Sequence, residues 1–253
     1  MLPMKIKQIV TPLTVLGIAA GILTGCATSK PGAPKSAARC QAAPDAGAIP
    51  TTKAVQEALT PAQALDKLKA GNERFVSNQP LPRNLAAERG ATAAGQFPFA
   101  VVLNCLDSRT SSELVFDQGL GDIFSARVAG NVLNDDILGS MEFGCKVAGA
   151  KLIAVVGHSN CGAIKGACSQ VQLGNLTGLL EKIQPAIAAT TTSTAGTKLT
   201  AAQVEAVAEA NVRLVMKQIR ERSPLLAEMI QQGQIGLVGG MYDLATGRVN
   251  FFE

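Results

Sequence analysis

The sequence predicts an α/β fold: a mostly parallel β-sheet of about four or five strands flanked by helices, with an N-terminal helical arm. Short apolar, β-branched runs alternate with longer segments whose apolar residues recur at helical spacing. Hydrophobic residues make up 47% of the 253 residues and charged residues 17%, so a sizeable core is expected. Length and composition favour one domain of about 200 residues after removal of a leader.

Residues 1–25 are predicted to be a signal peptide. Lys5 and Lys7 precede an apolar run over 9–23, which is shorter than the roughly 20 apolar residues of a membrane span. The run ends in LTGC, which resembles a bacterial lipobox whose cysteine, Cys26, is acylated after cleavage. We therefore expect an exported, periplasm-facing lipoprotein, with the outer membrane favoured over the inner. A soluble secreted protein and an uncleaved anchor are the alternatives.

Residues 26–52 are predicted to form a lipid-anchored flexible tether, because Pro, Ala, Gly and Ser dominate and no apolar periodicity is visible. The folded domain is expected over 53–253. Thr60 followed by Pro61 predicts a helix start, since a hydroxyl caps the first turn and proline suits the first helical position.

Beyond this arm, strands and helices are predicted to alternate, which favours a parallel sheet with helices on both faces. The predicted strands are 97–104, 122–129, 151–157, 234–243 and 248–252. The predicted helices are 111–118, 134–149, 162–171, 175–188, 200–222 and 224–232. In such sheets, ligands bind outside the carboxyl ends of the strands.

Three candidate metal ligands follow two of the predicted strands. Cys105 comes directly after strand 97–104, while His158, the single histidine of the chain, follows strand 151–157 and precedes Cys161 by three residues. Two thiolates and one imidazole suit zinc, and three protein ligands leave a fourth position for water, as in catalytic zinc sites. A hydrogen-bonded loop histidine with buried or disulfide-bonded cysteines is the alternative.

A carboxylate and a guanidinium follow Cys105 closely. Asp107 is placed to accept a hydrogen bond from a metal-bound water, and Arg109 can hold that carboxylate in a bidentate pair. Without the arginine, the carboxylate could itself occupy the fourth metal position. A surface salt bridge is the competing interpretation of the two residues.

Two other function classes are disfavoured by the sequence. The net charge of +4 is scattered without a basic block interleaved with aromatics, so no nucleic-acid partner is expected. Gly157 and Gly162 have P-loop spacing, but Ala163 and Ile164 stand where the lysine and the hydroxyl residue should follow. A nucleotide-binding domain is therefore rejected.

The segments CLDSR, FDQGLGDIFSARVAGN and GHSNCGAIKGA resemble the β-class carbonic anhydrases, whose pattern is Cys-x-Asp-x-Arg followed by His-x-x-Cys. The resemblance extends from about residue 60 to the C-terminus and implies that 53–253 is a carbonic anhydrase-like catalytic domain. The implied activity is the reversible hydration of CO2 to bicarbonate and a proton by zinc-bound hydroxide. One Zn²⁺ per subunit is implied.

The resemblance also assigns roles to individual residues. It implies that Cys105, His158 and Cys161 bind the metal and that Asp107 and Arg109 are the catalytic pair. The implied substrate-binding residues are Gln96, Phe124, Phe143 and Gly162. The implied assembly is a homodimer or homotetramer in which residues such as Gln96 and Phe143 reach the neighbouring subunit's site. The expected partner is CO2 or bicarbonate, with membrane contact only through the lipid anchor.

One residue departs from the family pattern, and two alternative functions stay open. Leu106 stands where the family carries a small residue, and we expect it to pack behind the loop. A hydrolase of carbonyl sulfide or carbon disulfide could use the same scaffold. A catalytically inactive zinc-binding lipoprotein is the other alternative, although a purely structural site would need neither Asp107 nor Arg109.

Overall fold

The computed structural model describes residues 49–190 and 199–253. The predicted signal peptide, Cys26 and the predicted tether up to residue 48 lie outside the described residues. Within the described ranges, no helix combines the length and the apolar character needed to cross a bilayer.

The described part of the chain contains one five-stranded sheet with the order β2-β1-β3-β4-β5. The strands are β1 (Ala100–Asn104), β2 (Ile123–Arg127), β3 (Leu152–His158), β4 (Gly236–Tyr242) and β5 (Val249–Phe252). The first four pair in parallel, and β5 runs antiparallel to β4. The predicted fold class is confirmed. Strand β1 begins later than predicted, at Ala100, since Pro98 has no N–H to contribute to the ladder.

Ten α-helices surround this sheet in the described residues. They are α1 (Lys53–Ala58), α2 (Pro61–Val76), α3 (Leu85–Thr92), α4 (Ser112–Val115), α5 (Asp135–Glu142), α6 (Gly162–Cys168), α7 (Gly174–Glu181), α8 (Gln184–Thr190), α9 (Ala201–Arg222) and α10 (Pro224–Gln231). Helix α2 starts as predicted, because the Thr60 side chain accepts from the Gln63 N–H and the Gln63 side chain accepts from the Thr60 N–H.

The two predicted helices 134–149 and 175–188 are each divided in the structure. The first becomes α5 and a π-helical turn (Phe143–Val147), in which the Ala148 N–H donates to the Phe143 carbonyl at 3.0 Å. The second becomes α7 and α8. The π turn lets Gly144 lie against β1, where a Cβ atom would stand only 2.6 Å from Val101 Cγ2.

Both faces of the sheet are covered, as a parallel sheet requires. All seven residues of β3 are buried. Because side chains alternate along a strand, Ile153 packs on one face among residues of α5, α9 and α10, and Ala154 packs on the other face against residues of α2. A third apolar cluster joins Cys105 and Cys161 to side chains of α6, α8 and α9, so the carboxyl edge of the sheet is itself enclosed.

Candidate metal centre

The three predicted metal ligands meet at the carboxyl edge of the sheet. Strand β1 ends at Asn104, which lies opposite Val156 of β3, so the chain leaves both strands at nearly the same level. Cys105 is the first residue beyond β1, His158 is the last residue of β3, and Cys161 is the N-cap of α6. The three residues are only 4%, 1% and 2% exposed, respectively.

The donor atoms have the spacing and the chemistry of a zinc site. All three lie within 4.8 Å of one another, and the two sulfur atoms are 4.0 Å apart. Two thiolates on a tetrahedral zinc would be about 3.8 Å apart, given Zn–S bonds of about 2.3 Å. His158 Nδ1 donates to the Ser159 carbonyl at 2.9 Å, while its buried Nε2 has no hydrogen-bond partner in the described structure. That arrangement fixes the tautomer and leaves Nε2 free to bind a metal.

The two ligand sulfur atoms share a hydrogen bond. With Cys161 as the donor, this hydrogen bond lowers the pKa of the Cys105 thiol against the opposing effect of burial. The same hydrogen bond, together with burial, raises the pKa of Cys161. The Gly130 N–H also donates to Cys105 Sγ, at 3.3 Å. The pocket therefore stabilises negative charge on sulfur, and a divalent cation would replace the remaining thiol proton.

Asp107 and Arg109 form the predicted bidentate pair. Arg109 Nε donates to Asp107 Oδ1 at 2.9 Å and Nη2 donates to Oδ2 at 2.8 Å, while the Arg109 backbone N–H donates to Oδ1 at 3.0 Å. The guanidinium beside Asp107 holds the pKa of that carboxyl well below its usual range. Among the described residues, the cluster of possible metal ligands consists of the two cysteines and the histidine, without Asp107. The carboxylate is thus available as a hydrogen-bond acceptor beside the metal pocket.

Arg127, at the end of β2, supports the loop that carries this pair. Its Nε donates to the Cys105 carbonyl at 3.1 Å, and its Nη2 donates to the Asp107 carbonyl. The Thr110 hydroxyl lies 3.0 Å from each of the same two carbonyl oxygens. Sequence reasoning did not single out Arg127, although its place at the carboxyl end of a strand next to β1 was a usable signal.

Leu106 and Gly162, which each follow a ligand cysteine in the sequence, are both exposed. The side chain of Leu106 is 60% exposed, so the expectation that it packs behind the loop is wrong. Its two neighbours hold the loop by their backbone carbonyls, and this turns the intervening side chain toward solvent. Gly162 begins α6 directly after Cys161, and no described atom lies within 4 Å of the place where its Cβ would be.

The other predicted substrate-binding residues lie away from the metal cluster within one chain. Gln96 is exposed in the segment before β1, and the whole strand separates it from Cys105. Phe124 lies opposite Val101, near the amino end of β1. Its ring meets that of Phe143 edge to face, with centroids 6.3 Å apart, and Phe143 is 53% exposed. A single chain therefore brings Asp107, Arg109 and Gly162 to the cluster, but not Gln96, Phe124 or Phe143.

Comparison with known proteins agrees with this geometry. The sequence profile of the carbonic anhydrase family matches residues 100–249. The chain belongs to the carbonic anhydrase family. It is 36% identical to carbonic anhydrase 2 of Mycobacterium tuberculosis over 194 residues, which cover 74% of this chain and 91% of that protein. It is 38% identical to the carbonic anhydrase of Mycolicibacterium smegmatis over 195 residues, covering 75% and 92%.

The fold is that of the β class. The chain superimposes on the β-carbonic anhydrase CafA of Aspergillus fumigatus with a TM-score of 0.59 at 23% identity, covering 76% of this chain and 90% of that one. For the β-carbonic anhydrase CcaA, the TM-score is 0.60 at 22% identity, covering 76% and 88%. The resemblance to this class is confirmed, and zinc, the metal used by the class, fits the donor set of this chain.

The two remaining described cysteines differ from the ligand pair. Cys145 is 3% exposed, and burial raises the pKa of its thiol to about 12, so it stays protonated. Cys168 is half-buried at the end of α6. Within the described ranges all four cysteines have free thiols, so the disulfide alternative finds no support there.

Proposed function

We propose that this chain is a zinc enzyme that interconverts CO2 and bicarbonate at the centre formed by Cys105, His158 and Cys161. The observation that carries the proposal is the bidentate pair of Asp107 and Arg109 beside a buried set of three metal donors. A purely structural zinc site would have no use for an ionised carboxylate held next to, but outside, the donor set. The pair thus favours the enzyme over the inactive zinc-binding protein.

Zinc, when bound, lowers the pKa of a water molecule so that it can act as a nucleophile near neutral pH. Asp107 accepts a hydrogen bond from this attacking water, and this hydrogen bond orients a lone pair of the water oxygen toward the carbon of CO2. Arg109 keeps the carboxylate ionised and occupies both of its oxygen atoms, which restrains it from the metal position. Because two thiolates already offset the charge of the metal, we expect the orientation by Asp107 to matter strongly for the rate.

The start of α6 supplies a backbone donor for the bicarbonate product. The backbone N–H of Gly162 is one of the unpaired donors in the first turn of that helix and can stabilise a developing bicarbonate oxygen. The new C–O bond forms from the water oxygen, and the released proton passes to solvent.

We further propose that the site is completed in a dimer. β2 is an edge strand of the sheet, and it is accompanied by exposed apolar side chains. These are Leu114, Leu120, Phe143 and Val147, with exposures of 69%, 45%, 53% and 71%. A contact between two copies at this edge would cover them and could carry Gln96, Phe124 and Phe143 toward the partner's metal centre. Two β-carbonic anhydrases of Sordaria macrospora, at 22% identity and a TM-score of 0.57, are described as tetrameric.

The cellular location is proposed from the leader alone. The positive residues, the apolar run and the lipobox-like LTGC together support export and acylation at Cys26, with residues 26–52 as a tether. The enzyme would then act on the periplasmic side of a membrane, with the outer membrane favoured.

The metal and the catalytic pair can be separated by substitution. We expect His158→Ala to lose both zinc and CO2 hydration, because a ligand is removed. Asp107→Asn should keep zinc but lose about a hundredfold or more of kcat, since the amide orients the water wrongly. Zinc content by mass spectrometry and stopped-flow CO2 hydration measure these two effects.

Cys168→Ser is the matched control, since it removes a thiol that lies outside the metal cluster, and it should keep both properties. Full zinc and full rate in His158→Ala would contradict the assignment. Turnover of carbonyl sulfide or carbon disulfide that exceeds CO2 hydration in the unchanged protein would favour the hydrolase.

The proposed dimer predicts that assembly and activity fail together. Phe143→Asp should convert dimers to monomers, because it places a carboxylate in the apolar contact. The site would then lack the partner's residues, and kcat/KM should fall by at least about tenfold, which corresponds to about 1.4 kcal/mol of lost transition-state stabilisation. Sedimentation velocity and hydration assays check this. Leu173→Asp, at a side chain that is 66% exposed in another loop, serves as the control. A fully active monomer would refute the dimer.

Acylation predicts a defined modification of the N-terminus. When the full chain is expressed in a Gram-negative host, the mature protein should begin at a diacylglyceryl Cys26 and partition into detergent. Intact-mass measurement shows the added lipid, and Cys26→Ala should abolish both. An unmodified Cys26 in a secreted, detergent-independent protein would disprove the lipid anchor.

A further inference from the structure

Helix α9 packs on one face of the sheet over β3 and β4, and the N-terminal half of its buried side reaches the apolar cluster that contains the ligand cysteines. Its buried residues Val207 and Ala208 belong to the apolar cluster that contains Cys105 and Cys161. The approach to β3 is close: a Cβ atom on Gly157 would stand 2.8 Å from Val212 Cγ2. A glycine just before His158 thus allows α9 to press directly on the strand that carries this ligand.

Asn211 of α9 reaches one half of the metal centre through one residue, Gly130, which lies between the Asn211 side chain and Cys105. It is 1% exposed, and its Nδ2 donates to the Gly130 carbonyl at 2.8 Å. The N–H of the same glycine donates to Cys105 Sγ at 3.3 Å. Gly130 has a φ of +66°, and a Cβ atom there would stand 3.0 Å from Ile183 Cδ1, so a residue with a side chain would be strained at this position. Asn211 thereby fixes the direction from which a donor approaches the ligand sulfur.

Glu205 of the same helix reaches the other half. Its Oε1 accepts from the Asn160 N–H at 2.8 Å. Asn160 lies between the ligands His158 and Cys161 and has a left-handed φ of +57°. The Lys165 ammonium donates to the Asn160 side-chain oxygen at 3.0 Å, which holds the same turn from α6. The turn that spaces the two ligands is therefore secured from two helices.

We infer that α9 sets the geometry of the metal centre through two positioning residues. Asn211 positions the ligand Cys105, and Glu205 positions the turn that carries the ligands His158 and Cys161. Neither side chain is a metal ligand, and neither touches the reacting atoms. An N–H donor on a ligand sulfur withdraws electron density from the metal–sulfur bond, and a fixed turn keeps the ligands pre-arranged before metal binds. This inference rests on the proposed zinc centre.

The chemistry of the two contacts shows what a variant must remove. Asn211 acts as a donor to a carbonyl, so Asn211→Leu keeps the approximate volume and removes the donor. Glu205 acts as an acceptor from a backbone N–H, so Glu205→Gln retains an acceptor oxygen, whereas Glu205→Ala retains none. Val215→Ala is the matched control, since this buried α9 residue packs in the core away from the metal loops.

The full-length protein and its four variants are titrated with Zn²⁺ against a chromophoric chelator, and the Co²⁺ forms are compared by absorption spectroscopy. We expect Asn211→Leu and Glu205→Ala to weaken Zn²⁺ binding by about 10- to 100-fold, the range found for changes around metal ligands. The sulfur-to-Co²⁺ charge-transfer band should shift in Asn211→Leu. Glu205→Gln should stay within about threefold of the unchanged protein, because it rescues the acceptor. Val215→Ala should lower thermal stability but leave Zn²⁺ affinity and the Co²⁺ spectrum unchanged.

Folded variants Asn211→Leu and Glu205→Ala with unchanged Zn²⁺ affinity and Co²⁺ spectra would overturn the inference. Equal losses in Glu205→Ala and Glu205→Gln, or a comparable loss in Val215→Ala, would do the same, since they would indicate general loosening. If Asn211→Leu does not fold, the comparison of the two Glu205 variants decides. Failure of the unchanged protein to bind Zn²⁺ at all would refute the proposed function, a distinct outcome.

Discussion

The parallel pairing of β1 with β3 is the interaction on which the metal centre depends. The register sets Asn104, the last residue of β1, opposite Val156, two residues before the end of β3, so Cys105 and His158 emerge close together. A slip of one residue would turn every side chain of one strand to the other face. Such a slip is disfavoured because it would replace Gly157 by a neighbouring residue where a Cβ atom would stand only 2.8 Å from Val212 Cγ2. The packing of the core is thus what fixes the distance between the donors.

The loops beyond these strands are held by side chains of other elements that form hydrogen bonds with the loop backbone. Arg127 binds two carbonyls of the Cys105 loop, and α9 reaches Gly130 and Asn160. These contacts come from β2, which lies between the two ligand loops in the sequence, and from α9, which follows both. The pairing of β1 with β3 brings the metal donors together, and the contacts from Arg127 and α9 fix the conformation of the loops that carry them. The exposed position of Leu106 follows from the same arrangement, since the carbonyls on either side of it are engaged inward.

Much of this architecture was predictable from local sequence patterns, because strands, helices and the ligands after strand ends each leave a short-range signal. The short helices α1 and α3 were missed, since six and eight residues give little periodicity. The break at Phe143 was also missed, because it arises where Gly144 packs against β1. Asn211 and Glu205 had no local signal at all, since their partners are backbone groups 81 and 45 residues away. The position of β2 at the edge of the sheet, and the separation of Gln96 and Phe143 from their own chain's metal cluster, could be found only in three dimensions.

Two cysteines and one histidine are proposed to hold a single catalytic zinc. Zinc K-edge X-ray absorption on the purified protein, combined with metal analysis, can count these ligands. We expect one zinc per chain, with two sulfur ligands at about 2.3 Å and two lighter ligands at about 2.0–2.2 Å. A third sulfur ligand, or a protein that holds no zinc when supplied with it, would rule out this metal centre.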